Sequence, residues 1–135
     1  MIFEISTSKH QELVDITDKV NEIVSDCGVN DGICHVYAFH ATAGIVIIES
    51  YDPDICLDFL DALNNAVPEK AGYRHDRVDG NAGAHIKAAM LSPGITVPVK
   101  NGKLLLGTWQ AINVVELDGP RNLRRIKVSV VSENK

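Results

Sequence analysis

The chain has 135 residues, of which 45% are hydrophobic and 23% are charged, and its formal net charge at pH 7 is −5. This length suits one domain, because two separate cores would each be marginal in size. The net negative charge excludes a general attraction to nucleic acid, so any phosphate ligand has to be held by local lysine or arginine side chains.

The cysteines and the N-terminus indicate the cellular setting. The three cysteines show no CxxC spacing and cannot all pair, so we expect reduced thiols in the core. Glu4 interrupts the apolar run that a secretion signal needs, and no stretch approaches the length of a membrane span. We therefore expect a cytoplasmic protein that binds neither membranes nor nucleic acid.

The first half of the chain alternates between β-forming runs and amphipathic stretches. The β-forming runs predict strands at residues 2–7, 33–39 and 44–50. The amphipathic stretches predict two helices, one ended by Gly28 and one that starts at Asp52-Pro53 and is ended by Pro68.

The second half predicts one short helix followed by strands. Residues 81–91, NAGAHIKAAML, read as an Ala-rich helix capped by Asn81 or Asp79. Residues 95–99, 104–117 and 124–132 predict three consecutive strands of an antiparallel hairpin or meander, the first two joined by a turn at Asn101-Gly102. The predicted fold class is α+β, with a largely antiparallel sheet and two or three helices packed on it.

Residues 74–87, RHDRVDGNAGAHIK, concentrate ionisable side chains between small residues. His75 and His85 are ten positions apart, which is not the i,i+4 spacing of a helical metal pair, but a loop can fold the first over the helix that carries the second. These polar groups are either solvated loop residues with a helix cap, or part of a site. Their number exceeds what capping requires, so the segment is a candidate site.

His40 ends a strand whose alternate positions are apolar, which predicts that its ring faces inward. A buried imidazole is either hydrogen-bonded in the core or a ligand. The adjacent turn, Thr42-Ala43-Gly44, is able to present backbone N–H groups to an anion, as any tight turn is. Glu49, at the end of the next strand, is either solvated or a metal-binding or basic carboxylate.

Residues 107–121 form the third group. The run from Trp109 to Glu116 is apolar at both alternating sets of positions, which is typical of a strand buried on both faces or lying at a subunit contact. Arg121 either pairs with Asp118 or closes on a phosphate, for which its planar fork is suited. We expect Arg124, Arg125 and Lys127 to form a solvated strand face.

Three stretches occur in a fixed order along the chain: HATAG at 40–44, YRHDRVDGNAGAHIKA at 73–88 and GKLLLGTWQAINVVELDGPR at 102–121. In this order they resemble the YjbQ-like family, some members of which are described as secondary thiamine-phosphate synthases. Two departures from the family pattern are Ala41, where the family usually has Thr, and Ile48, where it usually has Asn before Glu49.

The resemblance implies a single YjbQ-like domain over residues 1–135, with a sandwich-like sheet arrangement, that assembles as a homotrimer with sites near subunit boundaries. It also implies that His40, His75 and His85 share one polar site and are candidate ligands of a divalent metal, Zn or Mg. Implied catalytic residues are His75, His85, Asp79 and Glu116. Implied contacts to a phosphorylated small molecule are Asn81, Lys87, Arg121, Thr42 and Gly44.

The synthase reaction that the resemblance implies joins hydroxymethylpyrimidine diphosphate to thiazole phosphate and releases diphosphate. In that reaction Arg121 and Lys87 would neutralise phosphate oxygens, and Glu116 would orient a histidine. His75 or His85 would either protonate the leaving group or hold the metal. Two other interpretations remain open: a trimer that binds metal or a phosphorylated ligand without turnover, and a polar cluster that only satisfies buried groups at a subunit interface.

Overall fold

The computed structural model describes residues 1–133, so the last two positions of the predicted domain lie outside the described residues. Within this range the α-helices are α1 (Thr17–Asp26), α2 (Pro53–Ala66) and α3 (Ala82–Leu91), and a 3-10 turn covers Arg74–Arg77. The strands are β1 (Ile2–Ile5), β2 (Glu12–Asp15), β3 (Gly32–Ala38), β4 (Ala43–Ile48), β5 (Gly94–Lys100), β6 (Lys103–Leu104), β7 (Ala111–Glu116) and β8 (Arg124–Ser132).

The strands form two antiparallel sheets, which agrees with the predicted α+β fold. The order is β1-β8-β3-β5-β6 in the five-stranded sheet and β2-β7-β4 in the three-stranded sheet. Side chains of both sheets and of α1 share one hydrophobic core. A second core lies between the other face of the three-stranded sheet and helices α2 and α3. The three-stranded sheet is therefore the middle layer of a single domain.

The hydrophobic pattern of each strand matches its layer. In β3, Cys34, Val36 and Ala38 are buried, whereas the residues between them face solvent, because this sheet has one covered face. In β7, Val114 joins the first core and Val115 the second. Of the two alternatives that the sequence left open for the run from Trp109 to Glu116, burial on both faces holds for residues 112–116, whereas Trp109 is exposed.

The helix boundaries also follow from the sequence. The Asp52 carboxylate accepts a hydrogen bond of 3.0 Å from the backbone N–H of Asp54, and Pro53 occupies the first helical position of α2. Gly28, just after α1, has φ of +79°, a value that suits a residue without a side chain. None of the helices formed by residues 1–133 is long and apolar enough to span a membrane.

The predicted three-strand meander at the C-terminal end is wrong. β5 and β6 do form a hairpin through Asn101 and Gly102, which have φ of +52° and +76°. However, the chain turns at Gly107, whose carbonyl accepts a hydrogen bond from the N–H of Gln110, and then enters the other sheet. Residues 104–117 are therefore not one strand, since an apolar run does not disclose which sheet each part joins. The sequence also did not predict β2, which has only four residues.

Candidate functional site

The loop before α3 folds back so that His75 contacts His85. The 3-10 turn at residues 74–77 carries His75, and the backbone N–H of Val78 closes it by donating to the His75 carbonyl at 2.9 Å. The ring centroids of His75 and His85 are 4.9 Å apart and the rings are inclined at 81°. Two histidines separated by ten positions thus meet edge to face, as the sequence allowed.

These histidines line an open cavity of about 590 Å³. The walls include Tyr73 and Arg74 from the loop, and Ala82 and Ile86 from α3. Arg74 brings a positive charge beside the two imidazoles, which suits an anionic ligand. Sequence reasoning missed Arg74 as a site residue, although its position next to His75 was a usable signal.

The beginning of α3 is capped differently from the prediction. The carboxylate of Asp76 accepts a hydrogen bond of 3.0 Å from the backbone N–H of Ala82, whereas Asn81 makes no side-chain cap. The Asn81 amide instead donates to the Asp118 carboxylate at 3.0 Å. Asp79 is exposed and makes no hydrogen bond or ion pair with another residue of the described range. Asn81 therefore links α3 to the turn after β7.

Arg121 lies in that turn and pairs with Asp118. Its Nη2 atom is 2.9 Å from the Asp118 carboxylate, and its Nε donates to the Asp118 carbonyl at 2.8 Å. Of the two roles considered from sequence, pairing is the one that this structure shows. The side chain of Arg121 is still 45% exposed, so the guanidinium keeps donors that face solvent.

A buried ion pair lies under the same turn. Arg124 donates from Nε to Glu116 Oε1 at 2.9 Å and from Nη2 to Glu116 Oε2, and its Nη2 also donates to the Thr42 hydroxyl at 3.0 Å. Thr7 donates to Glu116 at 2.8 Å. The prediction that Arg124 lies on a solvated face is wrong, because it is 4% exposed; Arg125 and Lys127 are exposed as expected.

The pairing determines the charge state of Glu116. Burial tends to raise the pKa of this carboxyl, but the hydrogen bonds from Arg124, the Asp118 N–H and Thr7 outweigh it and lower the pKa. Glu116 is thus an ionised, fully enclosed carboxylate that joins three segments. It orients Arg124 and the turn rather than a histidine ring.

His40 occupies a hydrogen-bonded position beside this pair. Its Nε2 accepts from the backbone N–H of Arg125 at 2.7 Å, which requires the ring proton to be on Nδ1. Burial, followed by the positive charge of Arg124, lowers the pKa of His40. Neither His75 nor His85 contacts it. Of the two interpretations of His40, the structure supports the hydrogen-bonded one.

Three residues predicted to contact the ligand, Thr42, Gly44 and Lys87, are instead packed against or bonded to other parts of the chain. Thr42 is buried and bonded to Arg124 through both its hydroxyl and its carbonyl. A Cβ added to Gly44 would lie 3.1 Å from the Leu91 side chain, so this glycine allows close packing against α3. The Lys87 ammonium is fully buried, donates to the Asn64 amide oxygen and has its pKa lowered by burial. None of these three residues lines the cavity that contains His75 and His85.

Residues 1–133 contain no group of three or more His, Cys, Asp and Glu side chains positioned to hold a metal ion. His75 and His85 supply two adjacent imidazoles, and His40 is engaged elsewhere. Because structural and catalytic zinc sites use at least three protein ligands, the described part of one chain does not fit the predicted metal set.

The comparisons with known proteins agree over the whole described chain. Residues 1–133 match the family described as UPF0047 protein YjbQ-like. A UPF0047 protein of Methanothermobacter thermautotrophicus is 43% identical over 129 residues, which cover 96% of this chain and 89% of that protein. A UPF0047 protein of Archaeoglobus fulgidus is 44% identical over 126 residues, which cover 93% of this chain and 97% of that protein.

Solved structures give the same result. The crystal structure of a YbjQ-like protein of unknown function from Sulfolobus solfataricus superposes with a TM-score of 0.95 at 40% identity, covering 98% of this chain and 96% of that chain. An uncharacterised YjbQ/UPF0047 protein of Clostridium acetobutylicum gives 0.92 at 40% identity, covering 97% and 99%. The fold and the sequence therefore agree: the chain belongs to the UPF0047, or YjbQ-like, family.

Proposed function

We propose that the chain is a transferase acting on phosphorylated small molecules, and in its most specific form a thiamine-phosphate synthase. The observation that carries this proposal is the contact of His75 with His85 in an open cavity beside Arg74. Two imidazoles and a guanidinium combine proton transfer with attraction for phosphate, which a departing diphosphate requires.

In the proposed reaction the C–O bond between the pyrimidine methylene and the diphosphate breaks, and the thiazole nitrogen forms a C–N bond to that methylene. The diphosphate leaves with the electron pair. One imidazole of the His75–His85 pair donates a proton to the leaving diphosphate oxygen, while the other holds the pyrimidine ring in position. Arg74 and the solvent-facing donors of Arg121 neutralise phosphate oxygens.

The direct experiment supplies both substrates to the purified chain and measures thiamine phosphate by mass spectrometry. His75→Ala and His85→Ala are each expected to lower the rate by about 100-fold or more, which is the usual effect of removing a general acid. His35→Ala is the matched control, because His35 is an exposed histidine on β3 of the five-stranded sheet, where it forms a hydrogen bond with Thr96. Absence of product with the unmodified chain, or equal rates in all variants, would contradict the proposal.

The alternative proposal is a protein that holds a divalent metal, Zn or Mg, or a phosphorylated ligand without turnover. Since the described residues of one chain provide two adjacent imidazoles, a metal would need a further ligand from another copy, as in the predicted homotrimer. Elemental analysis of protein purified without chelator or His tag tests this directly. Stoichiometric metal that disappears in both His75→Ala and His85→Ala would favour the alternative, whereas metal-free active protein would exclude it.

A further inference from the structure

Two exposed aromatic rings lie at the end of β4, at the opposite end of the strand from His40. Tyr51 is 84% exposed and Trp109 is 61% exposed. Their ring centroids are 5.8 Å apart in an edge-to-face arrangement, and both line an open cavity of about 590 Å³. Large aromatic side chains gain most from being covered, so a pair left in water is suited to a ligand that covers it.

The charge around these rings is negative. Glu49 and Asp52 line the same cavity. Asp52 accepts the backbone N–H of Asp54, and the Glu49 carboxylate makes no hydrogen bond or ion pair with another residue in the range 1–133. After burial, the charges of Asp15, Asp52 and Glu49 raise the pKa of the nearby Cys56 thiol. A cation is therefore attracted here and an anion is repelled.

The side chains that line this cavity favour an organic cation over a metal ion. A metal ion seeks several oxygen or nitrogen ligands, and the described residues do not provide such a group. A planar organic cation spreads its charge over a ring, gives up its hydration at lower cost and is attracted by an aromatic face, with tryptophan the best partner. Two rings and two carboxylates match that combination.

We propose that Glu49, Tyr51, Asp52 and Trp109 form a binding site for a planar, N-alkylated heteroaromatic cation. The six residues of β4 span about 20 Å, so within one chain this site is separate from the region around Thr42 and Glu116. The thiazolium ring of thiamine phosphate belongs to this ligand class. That connection rests on the proposed function, whereas the binding site itself does not.

The experiment uses 1,2-dimethylpyrazolium as the cation and 1-methylpyrazole as its neutral counterpart. Trp109 is the single tryptophan of the chain, so its indole N–H signal in a ¹H–¹⁵N NMR spectrum reports on this cavity alone. We expect saturable shifts with the cation, and binding of the neutral ring weaker by about tenfold, as expected for loss of a cation–π contact and a carboxylate attraction.

Variants locate the binding. Glu49→Gln is expected to weaken binding by about fivefold or more, because it removes the carboxylate with no protein partner. Asp52→Asn tests the second charge and retains a good helix cap. Glu22→Gln, on the exposed side of α1, makes the same charge change at a residue that does not line this cavity, and it is expected to leave binding unchanged.

Three results would overturn the site: no saturable shift at 100 mM of the cation, taken as about the weakest affinity worth measuring, equal binding of the neutral ring, or equal binding in Glu49→Gln and Glu22→Gln. The titration contains neither synthase substrate, so its failure is distinct from failure of the synthase assay. Cation binding without synthase activity would retain this site and remove only its connection to thiamine phosphate.

Discussion

The two ends of the three-stranded sheet differ in how their polar groups are used. At the Glu116 end, where β4 begins, Glu116, Arg124 and Thr42 bond to one another away from water. At the Trp109 end, where β4 finishes, the Glu49 carboxylate and the aromatic rings of Tyr51 and Trp109 face solvent. The same strand thus connects a region whose polar groups support the fold to one whose groups remain available.

This difference shows why chemical richness alone is a poor guide to a site. The Glu116 end has more charged residues in the sequence, but several of them already form hydrogen bonds and ion pairs within the chain. A ligand gains from groups whose partners are water, because replacing an existing buried hydrogen bond yields little. The His75–His85 cavity and the Trp109 end meet that condition, whereas the Glu116–Arg124 pair does not.

The largest expected effect comes from breaking the buried pair. Arg124→Leu and Glu116→Leu should each lower the free energy of unfolding by about 3–5 kcal/mol, since each leaves the partner charge buried and unpaired. The double variant should recover part of that loss. Urea denaturation of the three variants provides the comparison, and losses that simply add in the double variant would contradict the coupling.

A smaller effect is expected for the helix cap at the Trp109 end. Asp52→Ala should lower the free energy of unfolding by about 1 kcal/mol, because the backbone N–H of Asp54 loses its acceptor. Asp52→Asn should stay within a few tenths of a kcal/mol of the parent, since asparagine caps equally well. Thermal unfolding of both variants checks this, and equal losses would show that charge rather than capping is important.

At the Glu116 end, a substitution of Lys87 is expected to raise the free energy of unfolding rather than to lower it. The buried ammonium of Lys87 donates to a neutral amide, and the charge of Glu69 offsets the cost of burial only in part, so Lys87→Met should raise the free energy of unfolding at pH 7 by about 1 kcal/mol. The pKa of Lys87 is lower in the folded chain than in the unfolded chain. At pH values between these two pKa values the unfolded chain binds more protons, so the free energy of unfolding rises with pH.

The advantage of Lys87→Met should therefore shrink as pH rises toward 10.5, the ordinary value for lysine. Urea midpoints of parent and variant, measured side by side at increasing pH, provide the difference and cancel other alkaline titrations. A variant less stable than the parent at pH 7 would show that the ammonium is better compensated than its contacts indicate.

The smallest expected effect is at His10, on the surface of the Glu116 end. The hydrogen bond to Glu69, 2.9 Å long, raises the pKa of His10. Its contribution is present below the unfolded value of 6.5 and is lost as pH rises through the folded value. Because both side chains are largely exposed, we expect a few tenths of a kcal/mol that salt reduces. Glu69→Gln should remove most of this pH dependence, because only the weaker effects of the Gly119 carbonyl and the Asp118 charge still raise the pKa of His10, and an undiminished dependence would assign it to another group.

Local patterns predicted the elements with strong periodicity or clear boundaries. The Asp52-Pro53 start of α2 and the inward set of β3 depend on neighbours within a few residues, so they follow from the sequence. The partner of each strand does not. β6, β7 and β8 follow one another in the chain, but β7 belongs to the other sheet, because the turn at Gly107 takes the chain out of the five-stranded sheet and the segment after Glu116 returns it.

The sequence by itself determined the α+β class, the end of α1, the start of α2 and the stretch in which His75 and His85 meet, since these depend on local propensity and spacing. Only the tertiary structure decided which ionisable groups remain free. Arg124, Lys87 and His40 resemble site residues by type, but distant segments bury Arg124 and Lys87 and provide hydrogen-bond partners for all three. Whether a polar group is paired depends on residues far away in the chain, and no local pattern encodes that.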